Sequence, residues 1–184
     1  MIVAAPMALL GFLLAGCSPQ ATGGTASPVS TITGHIVVTS PAAAAAVPPA
    51  LPPARTAPCP YLGSTEVQDD NGEHVGSVKI SSGADGQPHP SCFFYRPDGN
   101  LQMTIRVYVG SPAVATAMVN QAAPVATSSP ATQPAGWSGG AESQPKGAVY
   151  AISKGGTAIV VTSNQLQTIK CRLVAVATVA GLGG

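Results

Sequence analysis

The sequence predicts an α+β domain built on a mostly antiparallel sheet of about five strands, with its helices on one face. Residues 1–16 are nearly all apolar, residues 17–57 are rich in Pro, Ala, Ser and Thr, and regular strand and helix patterns begin only near residue 58. Hairpins followed by helices are typical of antiparallel sheets whose helices cover one side. We therefore predict the element order β-β-β-α-β-β-α over residues 58–184.

The leader, residues 1–16, ends in Leu14-Ala15-Gly16-Cys17. It is too short to cross a bilayer as a helix, which needs about 20 apolar residues, and its small final residues are typical of a signal-peptide cleavage site. The four residues resemble the lipobox of bacterial lipoproteins, in which the cysteine is alkylated with diacylglycerol and becomes the new N-terminus. The resemblance implies lipidation of Cys17 and anchoring at the outer face of the cell membrane. The Lys or Arg residues that usually open such a leader are missing.

The segment 17–57 is predicted to be a disordered tether. Its Pro, Ala, Ser, Thr and Gly residues offer too little apolar surface to offset the entropy of ordering, and its only charged residue is Arg55.

Three strands open the predicted domain. Residues 101–109 alternate between apolar and polar side chains with a period of two, as in a strand with one buried face. The turn at 96–100 joins this strand to residues 91–95 as a hairpin. An earlier strand at 74–80 follows a predicted turn at 69–72.

A helix is predicted for residues 111–123, because Ser111 suits the N-cap and Pro112 the first helical position. A long loop over 124–147 follows. Residues 148–152 and 157–161 then form a second predicted hairpin.

The last predicted helix begins at Asn164, with Gln167 completing a capping box. The apolar side chains that share one stripe of this helix are predicted to face the core: Leu166, Ile169, Leu173, Val176, Ala177 and Ala180.

Three segments carry a family resemblance: Cys59-Pro-Tyr-Leu-Gly63, Cys92-Phe-Phe-Tyr-Arg-Pro-Asp-Gly99 and Gly147-Ala-Val-Tyr-Ala-Ile-Ser-Lys-Gly-Gly156. They resemble a small exported domain of mycobacterial and corynebacterial lipoproteins, whose function is unknown. The Ala, Gly, Pro and Val bias is also typical of actinobacterial proteins. The resemblance supports the predicted location at the cell envelope and the predicted fold class, and it implies no active site.

Cys59, Cys92 and Cys171 remain after Cys17, and an exported domain permits a disulfide. Cys171 lies opposite the predicted apolar stripe, where it would face solvent or a loop. We therefore predict a Cys59–Cys92 disulfide. A pairing with Cys171 stays open as the rival.

Composition and spacing argue against several functions. A net charge of +1 with 8% charged residues is too neutral for a nucleic-acid-binding surface. The cysteines and histidines lack metal-ligand spacing, and no cofactor motif occurs. Gly136-Trp-Ser138-Gly-Gly140 matches the nucleophile-elbow pattern, but no His or Asp lies downstream to complete a triad. We therefore expect no enzymatic activity.

An aromatic and basic set is the candidate binding face. Arg106 and Tyr108 lie opposite the apolar row of their strand, and Trp137 is predicted to roof them from the long loop. The set comprises Tyr95, Arg96, Arg106, Tyr108 and Trp137.

We expect a lipid-anchored envelope protein whose domain is a non-enzymatic interaction or ligand-binding module. Its partner would be an envelope protein, a glycan or a lipid. The alternative is a lipid or glycolipid carrier, which would need a buried apolar pocket. A cell-wall enzyme is the third and weakest alternative.

Overall fold

An antiparallel sheet of eight strands organises the part of the chain that this computed structural model describes, residues 45–83 and 87–183. The strands are β1 (Pro53–Thr56), β2 (Ser77–Ser81), β3 (Cys92–Tyr95), β4 (Leu101–Val109), β5 (Ser129–Ala131), β6 (Ser138–Gln144), β7 (Gly147–Lys154) and β8 (Thr157–Ser163). The helices are α1 (Ser64–Asn71), α2 (Pro112–Ala122) and α3 (Thr168–Gly181). The strands lie side by side in the order β1-β2-β3-β4-β8-β7-β6-β5.

The fold class is α+β, but the prediction of about five strands in the order β-β-β-α-β-β-α is wrong. The predicted leader 1–16, Cys17 and the tether as far as residue 44 lie outside the described residues. Among the residues that are described, no helix has the length and hydrophobicity to cross a membrane.

Strands β5 and β6 lie in the segment 124–147, which was predicted to be a loop. Their Ser, Gly and Ala residues give no alternating pattern, and the strands form because backbone pairs closely with backbone. Ser138 pairs with Ser153 of β7, and a Cβ at Gly139 would lie 1.9 Å from the Ala151 carbonyl oxygen. Glycine is therefore required where the two strands meet.

Strand β1 lies inside the segment assigned to the tether, and the ordered region therefore begins before residue 58. All four residues of β1 are exposed, so no buried face marks the strand in the sequence. It pairs antiparallel with β2 at the edge of the sheet, where its proline is tolerated.

Helix α1 occupies a region where the sequence predicted a turn at 69–72. The dipeptide Asn71-Gly72 ends this helix: Gly72 adopts a left-handed conformation (φ 73°) and donates its N–H to the Gln68 carbonyl at 2.7 Å. Asn-Gly marks both hairpin turns and helix C-termini, because both need a residue with positive φ.

The two predicted hairpins and the first predicted helix are confirmed. Strands β3 and β4 pair antiparallel across the turn that contains Gly99, and β7 pairs with β8 across Gly155-Gly156. Helix α2 begins at Pro112 with Ser111 as its N-cap, close to the predicted bounds.

Helices cover both faces of the sheet, so the prediction of one covered face is wrong. Alternate residues of β7 separate two cores: Ala148, Tyr150 and Ile152 pack on the side of α3, and Val149 and Ala151 pack on the side of α2. The continuous apolar run in β7 is typical of a strand buried on both sides.

Helix α3 starts at Thr168, four residues after the predicted N-cap, and its buried side is the reverse of the prediction. The residues it buries are Cys171, Val174, Ala175, Thr178 and Val179. The helix is apolar around most of its circumference, so periodicity alone does not select a face. Close packing favours the side with small residues: a Cβ at Gly181 would lie 1.9 Å from the Tyr61 carbonyl oxygen.

Candidate functional site

The predicted binding face divides between the two cores. Tyr108 does project opposite Ile105 and Val107, but α2 covers it, and only 8% of its surface is exposed. Its hydroxyl accepts a hydrogen bond from the Ser111 N–H at 3.0 Å, just before α2 begins. Tyr108 therefore packs and positions α2, and it does not contact solvent as a binding residue would.

Trp137 lies in the other core. Its side chain is 8% exposed and belongs to the cluster on the side of α3, across the sheet from Tyr108. The predicted roof over Arg106 and Tyr108 is therefore wrong. Trp137 is the single Trp of a chain with few aromatic residues, and its presence is explained by its packing in this core.

Tyr95 and Arg96 lie at the end of β3 and make local contacts. Lys79 Nζ lies 5.1 Å from the centre of the Tyr95 ring. The Arg96 guanidinium contacts Glu73 at 3.5 Å and Asp98 at 2.8 Å. The backbone N–H of Asn100 holds the pKa of the Asp98 carboxyl below its usual value, with Arg96 assisting, so this cluster stabilises the β3–β4 turn.

Arg106 is covered by the chain's own N-terminal segment. Its guanidinium donates to the Pro48 carbonyl, and partial burial lowers its pKa. Val47 of the same segment packs against the core beside α2. A side chain predicted to meet a partner is thus used to fasten the end of the tether to the sheet.

A buried polar network joins α1, β4 and β8, and it was not predicted. Asn71 Nδ2 donates to Gln102 Oε1 at 2.8 Å, and Ser163 Oγ donates to Asn71 Oδ1 at 3.2 Å. Gln102 is the residue that the β3–β4 pairing skips, so a bulge turns it towards α1. Gln102 Nε2 donates onward to the His74 carbonyl at 2.9 Å. Because these amide groups are paired, the network has a structural role.

Two residues that could act as nucleophiles, Cys171 and Ser138, are not placed for catalysis. Burial raises the pKa of the Cys171 thiol to about 12, so the thiol is protonated and unreactive at neutral pH. Ser138 begins β6 and does not stand on a strand-to-helix elbow. Across the described residues, no three His, Cys, Asp or Glu side chains gather to hold a metal ion.

Grooves on the surface are modest in volume. One of about 410 Å³ lies beside α2 and β6 and includes Asn120, Val125 and Ser138. Another of about 370 Å³ lies at the ends of β4 and β8 and includes Thr104, Lys146 and Thr162. The groove at the ends of β4 and β8 includes the Lys146 amine, whereas the groove beside α2 and β6 is lined mainly by apolar atoms. Both open to solvent, unlike an enclosed pocket for an acyl chain.

The outward side of α3 is the principal exposed apolar feature of the described residues. On α3 itself Ile169 is 52% exposed, Leu173 41% and Val176 36%, and Leu166, two residues before the helix, is 57% exposed. We call these four residues and the exposed Ala180 the outer ridge. The sequence did identify them as one stripe, but it assigned the stripe to the core.

The disulfide joins Cys59 to Cys92, with Cα atoms 5.6 Å apart, and confirms the predicted pairing. The reason offered for the pairing was wrong, because Cys171 is buried rather than facing solvent or a loop.

A family model described as "Domain of unknown function (DUF2020)" matches residues 42–184. The match begins before β1, in agreement with an ordered region that extends N-terminal to residue 58. A comparison with curated proteins found no match.

Proposed function

The chain belongs to the DUF2020 family, and from this premise we propose that it is a lipid-anchored protein of the cell envelope. Its folded domain acts as a non-enzymatic interaction module at the outer face of the membrane. The resemblance to lipoproteins of mycobacteria and corynebacteria supports an actinobacterial envelope as the setting.

The motif Leu14-Ala15-Gly16-Cys17 supports the anchor. The way the tether joins the domain suits this arrangement, because three contacts fasten the N-terminal segment to the sheet. Pro48 accepts from Arg106, β1 pairs with β2, and Cys59 is linked to Cys92 of β3. A pull on the tether would therefore be carried by the sheet.

The outer ridge of α3 is the observation that carries the proposed interaction. Both faces of the sheet are filled by their own cores, and the ridge remains exposed on a helix that has already buried its other side. Contiguous exposed apolar patches on small proteins mark interaction sites.

A carrier is less well supported, since the grooves described above open to solvent and do not enclose an acyl chain. An enzyme is the least supported of the three functions, because Cys171 is buried and protonated and Ser138 lacks its partners.

The anchor is tested by Cys17→Ala in the full chain, expressed in an actinobacterial host with a clickable fatty acid. We expect loss of labelling and release of the protein from membranes, because the thiol is the site of acylation. Ser18→Ala is the matched control and should remain labelled and bound. Labelling and membrane binding that survive Cys17→Ala would overturn the anchor.

A further inference from the structure

The spacing of the outer ridge indicates that it packs against another helix. Within α3, Ile169, Leu173, Val176 and Ala180 follow one another at intervals of four, three and four residues, and Leu166 lies two residues before the helix. This is the a/d spacing of a helix–helix seam, which is narrower than the stripe of a helix that lies on a sheet. No charged residue lies within the seam.

The two edges of the ridge differ in charge. At 3.6 residues per turn, Arg172 lies roughly 70° to one side of the ridge and Lys170 roughly 90° to the other. Lys170 is engaged with α1, where its Nζ donates to the Asn71 carbonyl at 2.6 Å. Helix α1, which packs beside α3, carries the exposed acids Glu66 and Asp69, and Glu66 lines a surface groove together with Ala177 and Ala180 of α3. One edge therefore carries Arg172, and on the other edge the two acids of α1 outnumber Lys170, whose own partners are uncharged.

We propose that α3 pairs in parallel with α3 of a second copy of this chain, through the outer ridge. The inference rests on the proposed interaction module and names its partner. A two-fold axis parallel to α3 places the basic edge of each copy over the acidic edge of the other, whereas an antiparallel pair sets like edges together. In the parallel pair, Arg172 faces the Asp69 region of the second copy.

Charge and symmetry favour a second copy over a lipid surface. The acids of α1 beside the ridge would be repelled by anionic lipid headgroups, but they complement Arg172 of another copy. The net charge of +1 does not oppose self-association. A parallel pair also keeps both N-terminal segments on the same side along the axis, which suits two chains anchored in one membrane.

The size of the contact predicts a reversible dimer. From Ile169 to Ala180 the helical part of the ridge is about 17 Å long, at about 1.5 Å per residue. One helix face of this length buries less than the roughly 800 Å² per partner of a standard stable interface. The pair therefore depends on the local concentration that a shared membrane provides.

Cysteine cross-linking of the full chain in membranes tests the proposal. Ile169→Cys, Leu173→Cys and Val176→Cys are oxidised separately with copper phenanthroline, and Thr116→Cys on the exposed side of α2 is the control. In a parallel pair, each ridge position faces itself, within the roughly 7 Å between Cα atoms that a disulfide needs. We expect all three variants to give roughly tenfold more cross-linked dimer than the control, because pairing raises the effective thiol concentration.

The charged edges provide a second measurement. Arg172→Asp in the Leu173→Cys background should reduce the dimer yield severalfold, and adding Asp69→Arg should restore it. Lys154→Asp, a charge reversal at the exposed end of β7, is the matched control and should not change the yield. A yield that is unchanged by Arg172→Asp would overturn the parallel arrangement.

The remaining outcomes separate this proposal from the proposed function. A cross-link at only one ridge position indicates an antiparallel pair. A yield at control level at all three positions overturns the second copy as partner.

An environment-sensitive dye attached to the cysteine of Val176→Cys then shows, by its emission wavelength, what covers the ridge. A blue shift with phosphatidylglycerol vesicles assigns the ridge to the bilayer, and a blue shift in native membranes alone assigns it to another partner. If the emission of the dye is unshifted with the vesicles and in native membranes, the ridge is exposed to water in both, and the interaction module is overturned as well.

Discussion

Individual side chains whose type suggested function are mostly used to hold the fold together. Tyr108 anchors the start of α2, Arg106 holds the N-terminal segment and Trp137 fills a core. The same is true of Tyr61, which the sequence did not single out: its hydroxyl donates to the Pro90 carbonyl at 2.9 Å beneath α3. The exposed apolar side chains of α3 carry the functional argument instead.

Tyr61 gives a pH dependence of stability. Burial raises its pKa in the folded state above the unfolded value of about 10, so the unfolded chain loses this proton first. The stabilisation is fully present below pH 10 and is lost as pH rises through the folded pKa. We expect Tyr61→Phe to reduce the fall in Tm between pH 9 and about pH 11, as measured by circular dichroism. Tyr95→Phe, at a half-exposed position, is the control, and equal slopes for Tyr61→Phe and the parent chain would contradict this assignment.

At the scale of the elements, the sequence predicts those whose signal is local. Three elements were predicted from signals that lie within a few consecutive residues. The β3–β4 and β7–β8 hairpins show apolar strands on either side of turn residues, and α2 begins with Ser-Pro. Strands β5 and β6 were missed because backbone pairing through Gly139 and Gly140, rather than side-chain pattern, forms them. The edge strand β1 was also missed, because it buries no side chain and so shows no apolar pattern in the sequence.

The orientation of α3 was not predictable, because the helix offers two apolar sides. The buried side is chosen by close approach to Tyr61 and the sheet, which is a tertiary constraint. The candidate site was therefore present in the sequence as a stripe of residues, but it was assigned to the core. Its exposure became visible only once the other side of the helix was seen to be buried.

Adjacent positions on α3 test this orientation. Val174 is fully buried and Leu173 is 41% exposed. We expect Val174→Ala to destabilise the monomer by about 2 kcal/mol, since it leaves a cavity. Leu173→Ala should stay within about 0.5 kcal/mol of the parent chain, as surface substitutions do.

Urea denaturation of the dilute chain, in which dimers are absent, measures both variants. The reverse ranking would mean that the stripe of Leu173 faces the core after all.

At the scale of the whole molecule, the domain is fastened at its N-terminal side and free on the outer side of α3. The Cys59–Cys92 disulfide and β1 tie the incoming chain to one edge of the sheet. The sheet is covered by α1 and α3 on one face and by α2 on the other. This division suits a domain that is held from one end and presents a surface elsewhere.

The disulfide should contribute strongly to global stability. It closes a loop with a sequence separation of 33 residues, for which the chain-entropy estimate is about 3 to 4 kcal/mol. We therefore expect the double variant Cys59→Ala/Cys92→Ala to lose about this much free energy of unfolding in urea titrations. Cys171→Ala keeps the disulfide and is the control with a much smaller loss. A double variant as stable as the parent chain would show that the disulfide does not stabilise the fold.

Hydroxyl-radical footprinting of the full chain in its native membrane tests most directly whether the outer ridge is covered in the working protein. Leu101 and Val125 are 45% and 53% exposed, lie outside α3, and act as internal controls for the ridge residues Ile169 and Leu173. We predict that the two ridge residues react several times more slowly than these controls, and that Arg172→Asp raises their reactivity to the control level. Ridge residues that react as fast as Leu101 and Val125 in the parent chain would contradict the account.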